Sequence, residues 1–196
     1  MLGLAFHTYA DMTPQTYLPP LYSMNADGKP LHSWRVYLLP FLEQTALYDQ
    51  IRLNEPWDSP HNKQFHDMMP AVFQCPDNPG KGCCYATISG VLVPVKDGDW
   101  NARSTMVWSA KGTSNQILIV EVKEPFNWMD PTADITLDEL AKGINKAGRV
   151  GSFHPGGCNV GFGDGSVRFI TDAVDGALLR ALGDPRDGQG RGSMLP

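Results

Sequence analysis

His154 and Asp164 stand ten residues apart in "GSFHPGGCNVGFGDGSVRFI", and a histidine beside an aspartate is the pairing from which a general base and its orienting carboxylate are made. The chain offers other groups with chemical potential. Glu121 and Glu124, close to Trp128, could form a carboxylate pair, but with no companion base beside them the sequence argues against a glycosidase. In "DGDWN", Asp97, Asp99 and Asn101 alternate as the first three ligands of a calcium loop do, although no Gly follows at the sixth position and no Glu closes the loop at the twelfth. A solvated turn is the plainer reading there. His61 and His66 lie five apart on an expected helix, on different faces, which argues against a shared metal. Cys75, Cys83, Cys84 and Cys158 match neither CxxC pairs nor a Cys/His zinc finger. In an oxidising compartment Cys75 could close onto Cys83 or Cys84 across "PDNPGKG"; in a reducing one, four buried thiols are expected. Ser33, Ser59 and Ser152 lack a G-x-S-x-G context. Trp100 and Trp108, in the polar loop 96–115, could present an aromatic platform to a glycan or a protein, whereas buried anchors are the default for tryptophans elsewhere.

The elements that must position these groups decide between chemistry and shape. Asp164-Gly165 between apolar runs signals a two-residue hairpin turn, since both residues must take positive φ. Counting outward pairs Phe162 with Val167, Val160 with Phe169 and Cys158 with Thr171, which puts Val160, Phe162, Val167 and Phe169 on one face. The strand between rises about 3.3 Å per residue, so the His154-Pro-Gly-Gly corner and the Asp164 turn fall roughly 15–20 Å apart. A direct proton relay between the two residues is therefore disfavoured, and any partner of His154 must come from elsewhere in the chain.

Helical spacing marks "LGLAFHTYA" and "SWRVYLLPFLEQTALYDQI", the latter with an interruption near Pro40. "WDSPHNKQFHDMMP" predicts a helix capped at Asp58 or Ser59 and ended by Pro70. "AVFQC", "YATISG" and "VLVPV" predict short strands, and "QILIVEV", residues 116–122, a central one apolar on both faces. Thr136-x-x-Glu139 is a capping box, and "DAVDGALLRALG" predicts a last helix capped at Thr171 or Asp172. At 196 residues, with 20 Gly and 16 Pro, one loop-rich domain over 1–183 is expected, followed by a mobile tail, 184–196. A net charge of −5 without a basic cluster argues against nucleic acid as a partner. No apolar run of 18 residues occurs, and residues 1–10 look like the end of an amphipathic helix.

His154, nine residues and then Asp164-Gly165, within "FHPGGCNVGFGDGSVRFI", resembles the C-terminal signature of the prepilin-type-processing-associated H-X9-DG proteins, a bacterial family of unknown function. "LGLAFHTYAD", "SWRVYLLPFLEQTALYDQI" and "EPWDSPHNKQF" resemble that family's motifs in the same order, so the likeness covers nearly the whole chain. Cys158 departs from it, standing where an apolar strand residue is usual, and "KGCC" adds thiols. The resemblance implies an α+β, pseudopilin-like domain: a stem helix, of which residues 1–10 would be the end, packed on an antiparallel sheet, with short helices and long loops. It further implies a non-enzymatic role, display outside the cytoplasmic membrane, a membrane tether in the full-length form, and protein partners through the stem, as a homo-oligomer or filament. It carries over no catalytic residue, and no cofactor is expected beyond calcium at Asp97, Asp99 and Asn101. The alternative is a solute- or glycan-binding module using the 96–115 loop. A hydrolase comes third, since it needs a cleft joining His154 to a carboxylate other than Asp164.

Overall fold

The amphipathic start of the chain forms helix α1 (Leu2–Met12) in the computed structural model, which describes residues 1–13, 17–78, 80–96 and 109–187. The calcium pattern at Asp97, Asp99 and Asn101, the aromatic pair Trp100 and Trp108, and the end of the expected tail lie outside the described residues. The fold is α+β. Two short strands, β1 (Tyr22–Met24) and β2 (Pro30–Ser33), lead into helix α2 (Trp34–Leu38), a 3-10 turn over Leu39–Leu42 where Pro40 interrupts the helix, and α3 (Thr45–Tyr48). Strands β3 (Cys83–Thr87), β4 (Val95–Lys96) and β5 (Ile117–Phe126) follow, then α4 (Leu137–Leu140), β6 (Gly157–Phe162), β7 (Val167–Thr171) and α5 (Gly176–Gly183). They make a three-stranded sheet, ordered β2-β1-β4, and a four-stranded antiparallel sheet, ordered β3-β5-β6-β7. Strand β5 is interior, as its apolar run requires. Among the described residues no helix is long and apolar enough to cross a membrane.

Several expectations from the sequence need correction, among them "AVFQC", expected as a strand, in which Ala71–Phe73 forms a 3-10 turn instead. The β6–β7 register is one residue away from the expected one: Gly161 pairs with Val167, Val160 with Arg168 and Cys158 with Ile170. Gly163, Asp164 and Gly165 form a three-residue loop, closed by Phe162 N donating to Ser166 O at 2.8 Å, with Gly165 at φ +83° absorbing the extra residue. The slip splits the expected apolar face. Val160 and Phe162 are fully buried, while Val167 is 66% and Phe169 47% exposed. The segment expected as a helix before Pro70 makes only a 3-10 turn, Asn62–Phe65, and Met68 is exposed. Its Asn62 is buried and tied to the preceding loop, accepting from Arg52 N and donating to the Arg52 and Pro56 carbonyls, while its own N donates to Ser59 Oγ; the turn has no side-chain cap at its N-cap residue, His61. Helix α5 begins later than expected, at an Asp175 cap, whereas the capping box of α4 forms as expected. Residues 184–187, expected as part of the tail, are held: Lys111 Nζ donates to the carbonyls of Ala181 and Asp184, and Ala110 N to that of Pro185.

The core joins α1 to the sheet through aromatic rings. Leu2, Ala5 and Phe6 form the buried face of α1. Phe6 meets Trp34 at 5.1 Å between ring centroids, Trp34 meets Phe73 at 6.0 Å, and Phe73 stacks on Trp128 at 6.2 Å. Beside this chain of rings lies a buried ion pair. Arg35 donates to both carboxylate oxygens of Asp134 and to Tyr85 O, and Asp134 also accepts from Trp34 Nε1 and Thr87 N. That network fixes α2 against β3 and leaves none of the Asp134 charge unpartnered.

Candidate functional site

The register of the larger sheet sorts its side chains onto two faces. Ala86, Val120, Val160, Cys158 and Ile170 share one, all buried. Tyr85 and Glu121 stand opposite each other on the second face, with Ile119 two residues along. A carboxylate on an interior strand is costly to bury without partners, and Glu121 is 1% exposed. Its Oε2 accepts from Asn159 N at 2.6 Å and its Oε1 from Asn159 Nδ2 at 3.3 Å, across the β5–β6 ladder. Glu124, three residues on along the same strand, is exposed while Glu121 is buried, so the two carboxylates do not share one site.

Two loops converge on Glu121. The first follows the 3-10 turn Ala71–Phe73 and carries Cys75 and Asp77. A turn between Cys75 O and Asn78 N at 3.1 Å shapes it, and buried Asn78 pins it by accepting from Gly80 N and donating to Cys84 Sγ. The second loop leads into β6 and carries His154. There Ser152 Oγ accepts from His154 N at 3.1 Å and donates to Gly157 O at 2.7 Å, and Gly156, at φ +78°, completes the corner.

These supports bring His154 between three partners. Its Nδ1 lies 2.6 Å from Asp77 Oδ2, and its Nε2 lies 3.4 Å from Glu121 Oε1 and 3.6 Å from Cys75 Sγ. The ligand atoms of Cys75, Glu121 and His154 all fall within 4.8 Å of one another. Burial pushes the Cys75 thiol up from its ordinary value, and the neighbouring Glu121 and Cys84 push it the same way. Cys158, on the buried face, is pushed up to about 12 by burial and then by Glu121. Such an arrangement has two chemical capacities. A thiol, an imidazole and a carboxylate in line resemble a nucleophilic relay, and thiol, imidazole and carboxylate converging on a point resemble a cation site.

The residues singled out from the sequence divide accordingly. His154 and Cys75 meet; Asp164 does not join them, since β6 runs unbroken between and Asp164 Oδ1 instead accepts from Ser166 N in the turn. All four cysteines are free and buried, so the pairing of Cys75 with Cys83 or Cys84 does not occur: Cys83 Sγ contacts Tyr85 O and Cys84 Sγ receives the Asn78 amide. His61 and His66 separately contact the carbonyls of Gln50 and Trp57, and His66 stacks on the Trp57 ring. Sequence reasoning missed Asp77 and the meeting of Glu121 with His154. The only signal was indirect: the strand length that removed Asp164 from His154 required a partner from a distant segment.

No curated protein and no solved structure matches the chain. The family described as "Protein of unknown function (DUF1559)" matches residues 1–118 and 95–177, which together span most of the sequence and include every residue of the Cys75, Asp77, Glu121 and His154 cluster. The chain belongs to the DUF1559 family.

Proposed function

We propose that the chain is a non-enzymatic, pseudopilin-like domain displayed outside the cytoplasmic membrane, with α1 as the end of a stem that tethers it in the full-length protein and joins it to protein partners. The observation that carries this reading is the seating of α1. One face of the helix, Leu2, Ala5 and Phe6, is built into the core, while Leu4 on the opposite side is 71% exposed and Met12, at the helix end, is 74% exposed, as a stem shared between the domain and its neighbours requires. Gly3 sits with its Cα side against Gly165, where an added Cβ would lie 3.3 Å from the Gly165 backbone, so the helix rests on the turn of the H-X9-DG segment itself. The order of the sequence motifs supports the same reading.

The non-enzymatic part rests on the electrostatics of the one thiol–imidazole meeting among the described residues. A catalytic cysteine needs its thiolate favoured, whereas Cys75 is buried beside the Glu121 carboxylate, which opposes the thiolate. The test is the native gene product. Fractionation of source cells should place the full-length protein in the membrane fraction, with a hydrophobic leader and a prepilin cleavage site ahead of "LGLAFHTYA". A gene that opens without such a leader, or a product found wholly in the cytoplasm, overturns the reading.

A further inference from the structure

Two edges of the cluster on the second face of the larger sheet have the lengths found in a zinc centre. For zinc, bond lengths of about 2.3 Å to sulfur and about 2.0–2.2 Å to nitrogen and oxygen, at the tetrahedral angle, give ligand–ligand edges of about 3.6 Å for S···N and about 3.4 Å for N···O. Cys75 Sγ and His154 Nε2 are 3.6 Å apart, and His154 Nε2 and Glu121 Oε1 are 3.4 Å apart. The third edge closes within 4.8 Å. A thiol sulfur, an imidazole nitrogen and a carboxylate oxygen are also the donor set that selects zinc over magnesium or calcium, which take oxygen ligands.

The surroundings point the same way. Asp77 Oδ2 lies 2.6 Å from His154 Nδ1, the carboxylate–histidine arrangement that fixes the tautomer of a metal-bound imidazole and would leave Nε2 to face the ion beside Glu121 and Cys75. Cys75 Sγ, His154 Nε2 and Glu121 Oε1 converge in a largely buried place, where a bound cation would offset the carboxylate charge. The nucleophile reading lacks that support, because the carboxylate that opposes a free thiolate at Cys75 favours a metal-bound one.

We infer that Cys75, Glu121 and His154 form a zinc site, with Asp77 as the residue that positions His154. On binding, the S–Zn bond forms as the Cys75 proton leaves to solvent. No fourth His, Cys, Asp or Glu among the described residues joins the group, so water completes the tetrahedron.

The experiment is titration of the metal-free chain, residues 1–196, with Zn2+ by calorimetry and with Co2+ by absorbance. Expected are one saturable ion per chain, a thiolate-to-cobalt charge-transfer band and visible bands of tetrahedral strength. Cys75→Ala should abolish the charge-transfer band, and Cys84→Ala should leave it. His154→Ala should weaken Zn2+ by more than about 100-fold, and Asp77→Asn, at an exposed position, by about 10- to 100-fold. Near-ultraviolet circular dichroism from the buried Trp34 and Trp128 verifies that each variant folds. The inference is overturned if folded protein binds no ion saturably, if the charge-transfer band survives in Cys75→Ala, or if Zn2+ affinity is the same in Asp77→Asn; the cluster is then an ion pair of His154 with two carboxylates.

Discussion

His32 shows how much one buried titratable group can determine. It is fully buried, its Nε2 donates to Glu55 O at 2.8 Å with Arg52 O at 3.3 Å, and its Nδ1 is buried without a partner. Burial holds its pKa below the ordinary 6.5, outweighing the two carbonyl contacts. The sign of the consequence follows from proton counting. Between the lowered folded value and 6.5 the unfolded chain binds a proton that the folded chain refuses, so the His32 contribution is intact above 6.5 and is lost as pH falls below it. The urea midpoint should therefore decline on acidification below that point, and His32→Gln, which can still donate to the Glu55 carbonyl, should flatten the decline. Parallel pH profiles for the two proteins would assign the acid sensitivity to other groups. At the same scale, burial puts the thiolates of Cys83 and Cys158 out of reach at neutral pH, Cys158 with a value of about 12. Ellman's reagent should find these thiols unreactive in the native protein and all four cysteines reactive in denaturant; rapid native labelling of Cys158 would contradict its placement on the buried sheet face.

Elements carry the next layer of stability, and here the local sequence was readable where local rules were sufficient. The capping box of α4, the break at Pro40 and the apolar run of β5 all follow from residues within a turn or two of each other. The β6–β7 register did not, because the choice between a two- and a three-residue loop was made by a neighbouring segment: Gly163 N donates to Gln116 O at 2.8 Å, which removes Gly163 from pairing with Ser166. Likewise, the 62–65 segment stops at a 3-10 turn where Asn62 is tied to the loop before it. The site was legible only in part for the same reason, since Cys75, Asp77, Glu121 and His154 come from three distant segments that no spacing rule connects. Two substitutions test this layer. Gly165→Val, at φ +83°, should cost about 1–2 kcal/mol in urea unfolding, with Gly165→Asn costing less. Asp134→Ala should cost about 3–5 kcal/mol, because it leaves Arg35 charged and buried without a counterion. Pairing it with Arg35→Met should recover a large part of that loss, and a double variant no better than Asp134→Ala would mean that the ion pair serves mainly as a set of hydrogen-bond acceptors for Trp34 and Thr87.

At the scale of the molecule, the question is whether α1 is an attachment or part of the core. The sequence marked it as an amphipathic helix but could not say what its apolar side meets. In the fold that side meets α2 and the 3-10 turn after it: Phe6 against Trp34, Tyr9 edge-on to Phe41 at 5.5 Å, and from Trp34 the rings continue through Phe73 to Trp128, whose Nε1 donates to Phe65 O. Phe6 is fully buried, so its removal costs the transfer energy of the ring together with a cavity at the end of the aromatic series. Phe6→Ala should therefore lower the unfolding free energy by about 3–5 kcal/mol. Leu4→Ala, on the exposed side of the same helix, should change it by less than about 0.5 kcal/mol. If α1 were only an appendage, both variants would leave the global transition alone and only the helix would fray, seen as faster amide exchange confined to residues 2–12. A single cooperative transition, shifted by Phe6→Ala and monitored at the buried tryptophans, would establish that a force or partner acting on the exposed side of α1 is felt in the core.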